Sequence, residues 1–338
     1  MAVMRRLLPT AVKAALVGLV LFFVVRSIPL KLADLESFLI HANLQFYSSM
    51  VVFALFLMLQ AGIWVLIVNA AGEQAVRNGE GAKLPLLNGL RIFIDSQFGK
   101  YLPGGFWNYA GRVVLASRAG VPLDAQLAAI VYENILLVSA ALCYALILLV
   151  SLDIAPALCI ALVLAAFVLA YVYYDKSSAI VRGLFMRASR QRWLQRAAGK
   201  MTAAFARGSG TGAFRSDAGL SRSRFFGYLF CFLGSHFIMG IAFWMLTNSF
   251  GRGSIGLLYA AGTFATSWLL GLFSPLPGGL GVREGFLVYF LSLKLGAETA
   301  LYISVIARLW NMMAEAVFWA IARAVSHMTG RVKTYEKP

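Results

Sequence analysis

The tetrapeptide LPGG occurs twice in the chain, within YLPGGFWNYAGR (residues 101–112) and within FSPLPGGLGVREG (residues 273–285). Both copies interrupt apolar stretches of the kind that normally continue as a membrane-spanning helix. Proline lacks the N–H that a helix interior needs, and glycine readily adopts a positive φ. Each copy therefore predicts a break between two half-helices that lies inside the membrane.

The composition is that of an all-α integral membrane protein. Of the 338 residues, 60% are hydrophobic, well above the roughly 45–50% found in soluble domains. The formal net charge of +16 is explained by the basic cytoplasmic loops that membrane proteins carry, so we predict no nucleic-acid partner. The three cysteines and three histidines show no disulfide or metal-ligand spacing, and we predict no metal and no cofactor.

Six apolar segments are long enough to cross a bilayer, which takes about 20 residues. They are residues 10–28, 46–70, 123–150, 155–174, 224–248 and 299–325. Arg5, Arg6 and Lys13 lie around the start of the first segment, a pattern that signal peptides also show. No small-residue cleavage site follows it, which favours an uncleaved helix.

The longest polar segment, residues 175–222, fixes the orientation because its basic residues far outnumber Asp175 and Asp217. The positive-inside rule places this segment in the cytoplasm. Its aromatic residues among arginines fit either a helix lying on anionic lipid headgroups or a plain solvated loop. Both termini are then cytoplasmic, and we expect a multi-pass protein of the inner membrane.

With that segment inside, two stretches must enter and leave the membrane from one side. Residues 86–118 are predicted to form a re-entrant hairpin from the cytoplasmic side, and residues 256–293 one from the outer side. The alternative, a kink in an ordinary spanning helix, would place the basic segment outside. The predicted organisation is residues 1–45 as the N-terminal span and connection, 46–150 as a first repeat, 151–222 as a span with the basic segment, 223–325 as a second repeat, and 326–338 as a cytoplasmic tail.

The two repeats are predicted to be related by inverted topology. Pro103 and Pro277 are 174 positions apart, and the same offset superposes Asp124 on Glu298. Each copy reads span, hairpin, span, but the first starts from outside and the second from inside. The predicted fold is thus about six spanning helices plus two re-entrant helical hairpins, an architecture from which alternating access is commonly built.

The second half-helix of each hairpin should direct free amides and its positive dipole end into the membrane, which suits an anion. Arg112 and Arg283 follow the two breaks and are the best candidates to hold a phosphate or another anionic headgroup. A structural role is the open alternative, in which each arginine caps carbonyls or pairs with a carboxylate. The predicted substrate-binding residues are Lys100, Pro103, Gly104, Gly105, Trp107, Asn108, Arg112, Pro277, Gly278, Gly279, Arg283 and Glu284.

Charged residues also fall near the predicted midplane, where they are costly and usually functional. Glu133 and Arg308 each lie roughly 15 Å into their spans at 1.5 Å per residue. We expect them to pair, either as a contact that breaks during a conformational switch or as a static buried pair, and Glu133 could alternatively carry a proton. Glu315, on the same helix face as Arg308, and Asp95 complete the predicted coupling and gating set.

The stretches GKYLPGGFWNYAGR, SRAGVP and PLPGGLGVREG resemble the transmembrane domain of lysylphosphatidylglycerol synthases, a flippase-like membrane family, and the likeness runs from about residue 10 to 325. In two-domain members a soluble aminoacyl transferase domain makes the modified lipid, and the membrane part moves it across the bilayer. This chain has no soluble segment of that size, so the resemblance implies lipid translocation without lipid synthesis. The motif positions carried over are Pro103, Gly104, Gly105, Gly111, Arg112, Pro277, Gly278, Gly279, Gly281, Arg283 and Glu284.

The leading hypothesis is therefore a flippase, not an enzyme, that moves a phospholipid, an aminoacylated lipid or a polyprenyl-phosphate-linked sugar by alternating access. Two alternatives stay open: a membrane-embedded transferase acting on a lipid, and a non-catalytic subunit that docks a lipid-modifying enzyme. The expected partners are the lipid substrate, anionic headgroups at residues 175–222, and a separate enzyme or a second copy of the chain.

Overall fold

The computed structural model describes residues 40, 42–79, 81–101, 106–189, 219–274, 279 and 281–328, with only the backbone described for most of residues 181–189. Several predicted features lie outside the described residues: the span 10–28, most of the basic segment, most of the C-terminal tail, and Pro103, Gly104, Gly105, Pro277 and Gly278.

All the elements within these residues are helical. The helices are α1 (Leu44–Ala71), α2 (Glu73–Arg77), α3 (Leu86–Gln97) continued by a 3-10 turn (Phe98–Tyr101), α4 (Trp107–Arg118), α5 (Leu123–Ser151), α6 (Pro156–Val172), α7 (Tyr174–Ser189), α8 (Arg222–Asn248), α9 (Leu257–Leu272), α10 (Val282–Leu295) and α11 (Ala297–Met328).

Four helices are long and apolar enough to cross a membrane: α1, α5, α8 and α11, of 27 to 32 residues. They coincide with the predicted spans 46–70, 123–150, 224–248 and 299–325. The predicted span 155–174 is less regular, because α6 has 17 residues and meets α7 at a bend of 72°. Counting α6 with the start of α7 as one bent span gives up to five candidate spans among the described residues.

Helices α1 and α8 form an antiparallel pair at the centre of the molecule. The Asn43 side chain, which also caps α1, donates to the Ser249 carbonyl at 2.7 Å. Midway along the pair, Gln60 donates to the Ser235 hydroxyl at 2.9 Å. The start of α1 therefore lies beside the end of α8, and the pair gives the molecule two ends. End A contains the C-terminus of α1, and end B contains the C-terminus of α8.

A short ion-pair network at end A joins α2 to the start of α8. Glu73 pairs with Arg224 at 2.6 Å and also with Arg77 one turn along α2. The hydrogen bonds from these two guanidinium groups hold the pKa of the exposed Glu73 carboxyl below its usual value. The network is charged at neutral pH and ties the C-terminal side of α1 to α8.

Helices α3 and α4 form the first hairpin, which opens at end A. The Ala82 amide before α3 donates to the Gly120 carbonyl after α4 at 2.9 Å, so the two outer ends of the hairpin meet. Near its inner end, next to LPGG, a Cβ on Gly99 would lie 2.7 Å from the Asn108 nitrogen, and glycine permits this close backbone contact. The chain thus returns to the end at which it started.

Helices α9 and α10 form the second hairpin, which opens at end B. The Tyr259 hydroxyl, in the first turn of α9, donates to the Phe290 carbonyl of α10 at 2.6 Å. At its inner end, a Cβ on Gly271 would lie 3.0 Å from Arg283 Cβ. The Trp244 indole near the end of α8 donates to the Ile255 carbonyl just before α9, which fixes the outer end of α9 at end B.

Candidate functional site

The inner ends of both hairpins reach the middle of α11. From the first hairpin, Lys100 forms an ion pair with Glu315, and the Tyr101 hydroxyl donates to the other Glu315 oxygen at 3.0 Å. From the second hairpin, Glu284 accepts a hydrogen bond from Arg308 at 2.7 Å. Arg308 and Glu315 are seven residues apart, about 10 Å along the helix. We call Lys100, Tyr101, Arg283, Glu284, Arg308 and Glu315 the central charged cluster.

Glu284 occupies the amide-rich start of α10 that the sequence assigns to an anion. One carboxylate oxygen accepts a hydrogen bond from the Gly281 amide at 2.8 Å, and the other accepts from Arg308. Gly281 has a φ of 80°, which favours glycine at this position. In this conformation the Glu284 side chain therefore caps α10 and neutralises the charge of Arg308.

Arg283 is the cation of the cluster without a counter-ion. Its guanidinium lies over the Phe264 ring, 4.7 Å from the ring centre, and its Nε is buried without a hydrogen-bond partner. Within the part of the chain that the structure describes, no carboxylate lies within ion-pair distance of it. A buried or partly buried cation without an anion is costly, so the site is electrostatically prepared to receive one.

Arg112, by contrast, has a counter-ion on its own span, although its Nε, like that of Arg283, is buried without a hydrogen-bond partner. It is 2% exposed and donates to Glu133 on α5 at 2.6 Å. The guanidinium also stacks on Phe93, 4.1 Å from the ring centre, and lies over Trp64. A substrate anion would reach Arg112 only if this buried pair opened.

The predicted pair between Glu133 and Arg308 is wrong. Glu133 pairs with Arg112, and Arg308 pairs with Glu284. The physical reason is that α4 lies along α5 and α10 lies along α11, so each midplane charge meets the hairpin of its own half. Glu315 differs from both, because it bonds to the first hairpin, which belongs to the other half, and does not join Arg308 directly.

The remaining predicted residues lie around the cluster. Both carboxylate oxygens of Asp95 on α3 accept hydrogen bonds from Arg323 of α11, at 3.2 and 3.3 Å. Trp107 is 44% exposed and stacks on Phe106, which is also exposed. The Asn108 side-chain oxygen is buried without a hydrogen-bond partner, and Gly279 lies against the Gly271 backbone with a φ of 73°.

Sequence reasoning missed Tyr101, Phe264 and Arg323. Tyr101 adjoins the LPGG motif, so its position was a usable signal. Arg323 lies close to the end of a span, where a basic residue is ordinarily explained by the positive-inside rule. Phe264 carries no signal in the sequence, since an aromatic residue in an apolar helix is most often core.

Long apolar helices with a charged interior define the class as an all-helical, multi-pass membrane protein. The chain matches the family described as "Lysylphosphatidylglycerol synthase TM region" over residues 10–314. It belongs to that family, as the sequence resemblance led us to expect, and is therefore a membrane protein linked to lipid metabolism. No curated protein sequence gives a significant match to the chain.

Proposed function

We propose that the protein is a flippase that moves an amphiphilic lipid with an anionic, phosphate-bearing headgroup across the membrane by alternating access. The headgroup binds at the central charged cluster while the tail stays in the hydrocarbon region. The observation that carries this proposal is Arg283, a cation at the point where the two hairpins meet that has no counter-ion among the described residues. We further propose that the site binds the lipid and releases it chemically unchanged, so that the protein is a transporter and not an enzyme.

An inverted repeat is supported by the way the helices pair. Exchanging the first half (α1, α3, α4, α5) for the second (α8, α9, α10, α11) turns the observed pairings between these helices into one another, except that the pairing of α1 with α5 has no counterpart between α8 and α11. The contact of α1 with α11 becomes that of α8 with α5, and the contact of α3 with α11 becomes that of α9 with α5. The two hairpins open at opposite ends, as inverted topology requires.

The placement of the hairpins in the membrane is argued from length. Half-helices of 12 to 16 residues are about 18–24 Å long, shorter than a hydrocarbon core of about 30 Å. Non-helical backbone at that depth needs protein or water to satisfy it. We propose that both inner ends line a wet chamber beside α11.

The distribution of charge supports a cytoplasmic end A. Among the described residues near end A are the basic residues Arg77, Lys83, Arg118, Lys176, Arg222 and Arg224, and near end B are Arg252 and Lys294. The excess at end A follows the positive-inside rule. We propose that end A faces the cytoplasm and that the protein lies in the inner membrane.

Exposed apolar side chains beside the cluster suit the lipid tail. Phe106 and Trp107 at the inner end of the first hairpin are 52% and 44% exposed, and Phe273 at the inner end of the second is 79% exposed. In a membrane these rings contact acyl or prenyl chains. An anionic headgroup on Arg283 with its tail among these rings would satisfy both parts of an amphiphile.

The test is a headgroup-accessibility assay on purified protein in liposomes that contain a fluorescent phospholipid. Arg283→Gln is expected to lower the initial rate of translocation roughly tenfold or more, because a charge-assisted hydrogen bond to the headgroup is lost. Arg283→Lys, which keeps the charge but not the bidentate geometry, should be intermediate.

Arg252→Gln is the matched control, since Arg252 lies at end B in an exposed and weak contact with Glu298 at 3.8 Å. Its rate should equal that of the unsubstituted protein. Chemical conversion of the lipid would point to a transferase. If the lipid is neither converted nor moved, the remaining alternative is a subunit that docks a separate enzyme.

A further inference from the structure

We infer that Arg323 and Asp95 form a gate, and that the interface between α3 and α11 is the one that opens to admit a headgroup from end A. This inference rests on the proposed function for the identity of what enters. It concerns a residue, Arg323, that the sequence does not single out.

Two of the interfaces between the halves, that of α9 with α5 and that of α3 with α11, correspond to each other in the proposed repeat but differ in chemistry. On the end B side, α9 packs directly against α5 through glycine: a Cβ on Gly262 would lie 2.7 Å from Leu148 Cβ and 2.8 Å from the Tyr144 carbonyl oxygen. On its other side, a Cβ on Gly240 of α8 would overlap the Ala261 side chain. Ten of the 16 residues of α9 are buried. Separating such a close-packed contact would open empty space.

On the end A side, α3 meets α11 through charged and polar groups. The Asp95–Arg323 pair keeps 28% and 43% of its side chains exposed. Beyond it, Lys100 and Tyr101 bond to the buried Glu315. Partly exposed ion pairs contribute little stability because water competes for both partners. The Asp95–Arg323 contact at the end A edge of this interface therefore separates at low cost, unlike the glycine-packed contact between α9 and α5.

The order of charges along α11 makes the pair a gate to the cluster. Arg323 lies eight residues from Glu315 toward end A, about 12 Å along the helix. A headgroup that arrives from end A between α3 and α11 therefore meets the Asp95–Arg323 pair before it reaches Glu315, Arg308 and Arg283. The first hairpin itself stays attached to its own half through the buried Arg112–Glu133 pair.

A cysteine reporter tests the gate without any transport measurement. Asn311 lies between Arg308 and Glu315, one turn from each, and its side-chain oxygen is buried without a partner. Asn311→Cys is placed in a background with Cys143, Cys159 and Cys231 replaced by alanine. Sealed proteoliposomes are then treated with a membrane-impermeant maleimide, and single cysteines at Lys83 and Arg252 report which end faces the reagent.

Asp95→Asn or Arg323→Gln is expected to raise the labelling rate at Asn311→Cys roughly two- to fivefold from end A, with no change from end B. The charge swap Asp95→Arg with Arg323→Asp should return the rate to its starting value. Arg252→Gln, at the exposed pair of end B, should have no effect.

Unchanged labelling in both single variants, an equal rise from both ends, or a swap that fails to restore the rate would each overturn the gate. Labelling that follows the prediction in a protein that moves no lipid would leave the gate standing and remove the proposed function. Lipid movement with unchanged labelling would remove the gate and leave the proposed function standing.

Discussion

Two arginines that follow the same tetrapeptide have different surroundings. Arg112 is enclosed by aromatic rings and pairs with Glu133, whereas Arg283 touches one ring and has no carboxylate within ion-pair distance in the described residues. Burying an ion pair costs desolvation of both groups, and removing one partner leaves an uncompensated charge. Arg112 thus belongs to the stability of the fold in this conformation, and Arg283 is the better candidate for the substrate.

This difference predicts that removing one member of the buried pair lowers the stability of the protein and that removing both members restores most of it. Arg112→Met should lower the free energy of unfolding by about 3–5 kcal/mol, because Glu133 is left buried without its cation. The double variant Arg112→Met with Glu133→Leu should recover most of that loss, since both charges are then gone. Thermal unfolding in detergent, followed by circular dichroism, measures both.

Arg283→Met is the matched comparison, because Arg283 leaves no partner behind. It should change unfolding by much less than Arg112→Met. Equal destabilisation by the two single variants, or a double variant as unstable as Arg112→Met, would show that the Arg112–Glu133 contact is not the source of the effect.

The charged residues themselves were predictable from the sequence, but their partners were not. Any Arg or Glu inside an apolar run stands out, which is how Glu133, Arg308 and Glu315 were selected. Which carboxylate meets which arginine depends on how α4 lies along α5 and α10 along α11. A sequence offset of 174 carries no information on that packing, and the expected Glu133–Arg308 pair failed for this reason.

At the scale of elements, glycine decides where helices approach one another. Gly240 and Gly234 lie in the same helix, α8, but only Gly240 faces another helix closely. A side chain at Gly240 would meet the Ala261 Cβ and Cα, whereas a Cβ at Gly234 has nothing within 4 Å. The contact between α8 and α9 therefore depends on the absence of one methyl group.

We predict that Gly240→Ala destabilises the protein by about 1–3 kcal/mol, because an added methyl group overpacks the α8–α9 interface. Gly234→Ala, in the same helix with open space, should be neutral or stabilising by up to about 1 kcal/mol, since alanine favours helix more than glycine. The measurement is the shift in unfolding midpoint of both variants in the same detergent. Equal shifts would contradict the close-packing account.

The existence of the long helices was predicted from hydropathy, whereas the caps that fix helix ends are seen only in the structure. Asn43 accepts from the Phe46 amide at the start of α1, and Pro156 begins α6, both at positions where those residues are favoured. The bend of 72° after α6 was not predictable, because residues 155–174 are uniformly apolar. Such a run gives length but no indication of direction.

At the scale of the whole molecule, the outer ends of the two hairpins give the sharpest test of topology. Single cysteines at Lys83 and Arg118 flank the first hairpin, and single cysteines at Arg252 and Glu298 flank the second. We predict that a membrane-impermeant maleimide labels the first two from one side of the membrane and the last two from the other.

The competing arrangement, a kinked spanning helix, would place Lys83 and Arg118 on opposite sides. Labelling of all four cysteines from one side would contradict inverted topology in a different way. The comparison needs only sealed vesicles of known orientation, and it does not depend on the identity of the lipid.

The offset between the two LPGG motifs predicts an inverted repeat, and the pairing of the helices supports that proposal. The sequence could not predict that the contacts between halves differ, with α9 packed on α5 through glycine and α3 joined to α11 through ions. Helices α9 and α3 are each the first helix of their hairpin. Their contacts differ because different side chains face the other half, and the rotation of each helix about its axis determines which side chains do so.

The crossing of partners between halves also bears on how the chain is made. The ion-pair partners of α3 and its 3-10 turn, Glu315 and Arg323, lie on α11, the last described helix, and α5 packs against Gly262 of α9. During synthesis the N-terminal half enters the bilayer before either partner has left the ribosome. Until α11 is synthesised, Lys100 and Asp95 are in the membrane without their counter-ions. Water, lipid headgroups or a chaperone must stabilise these two charges until translation is complete.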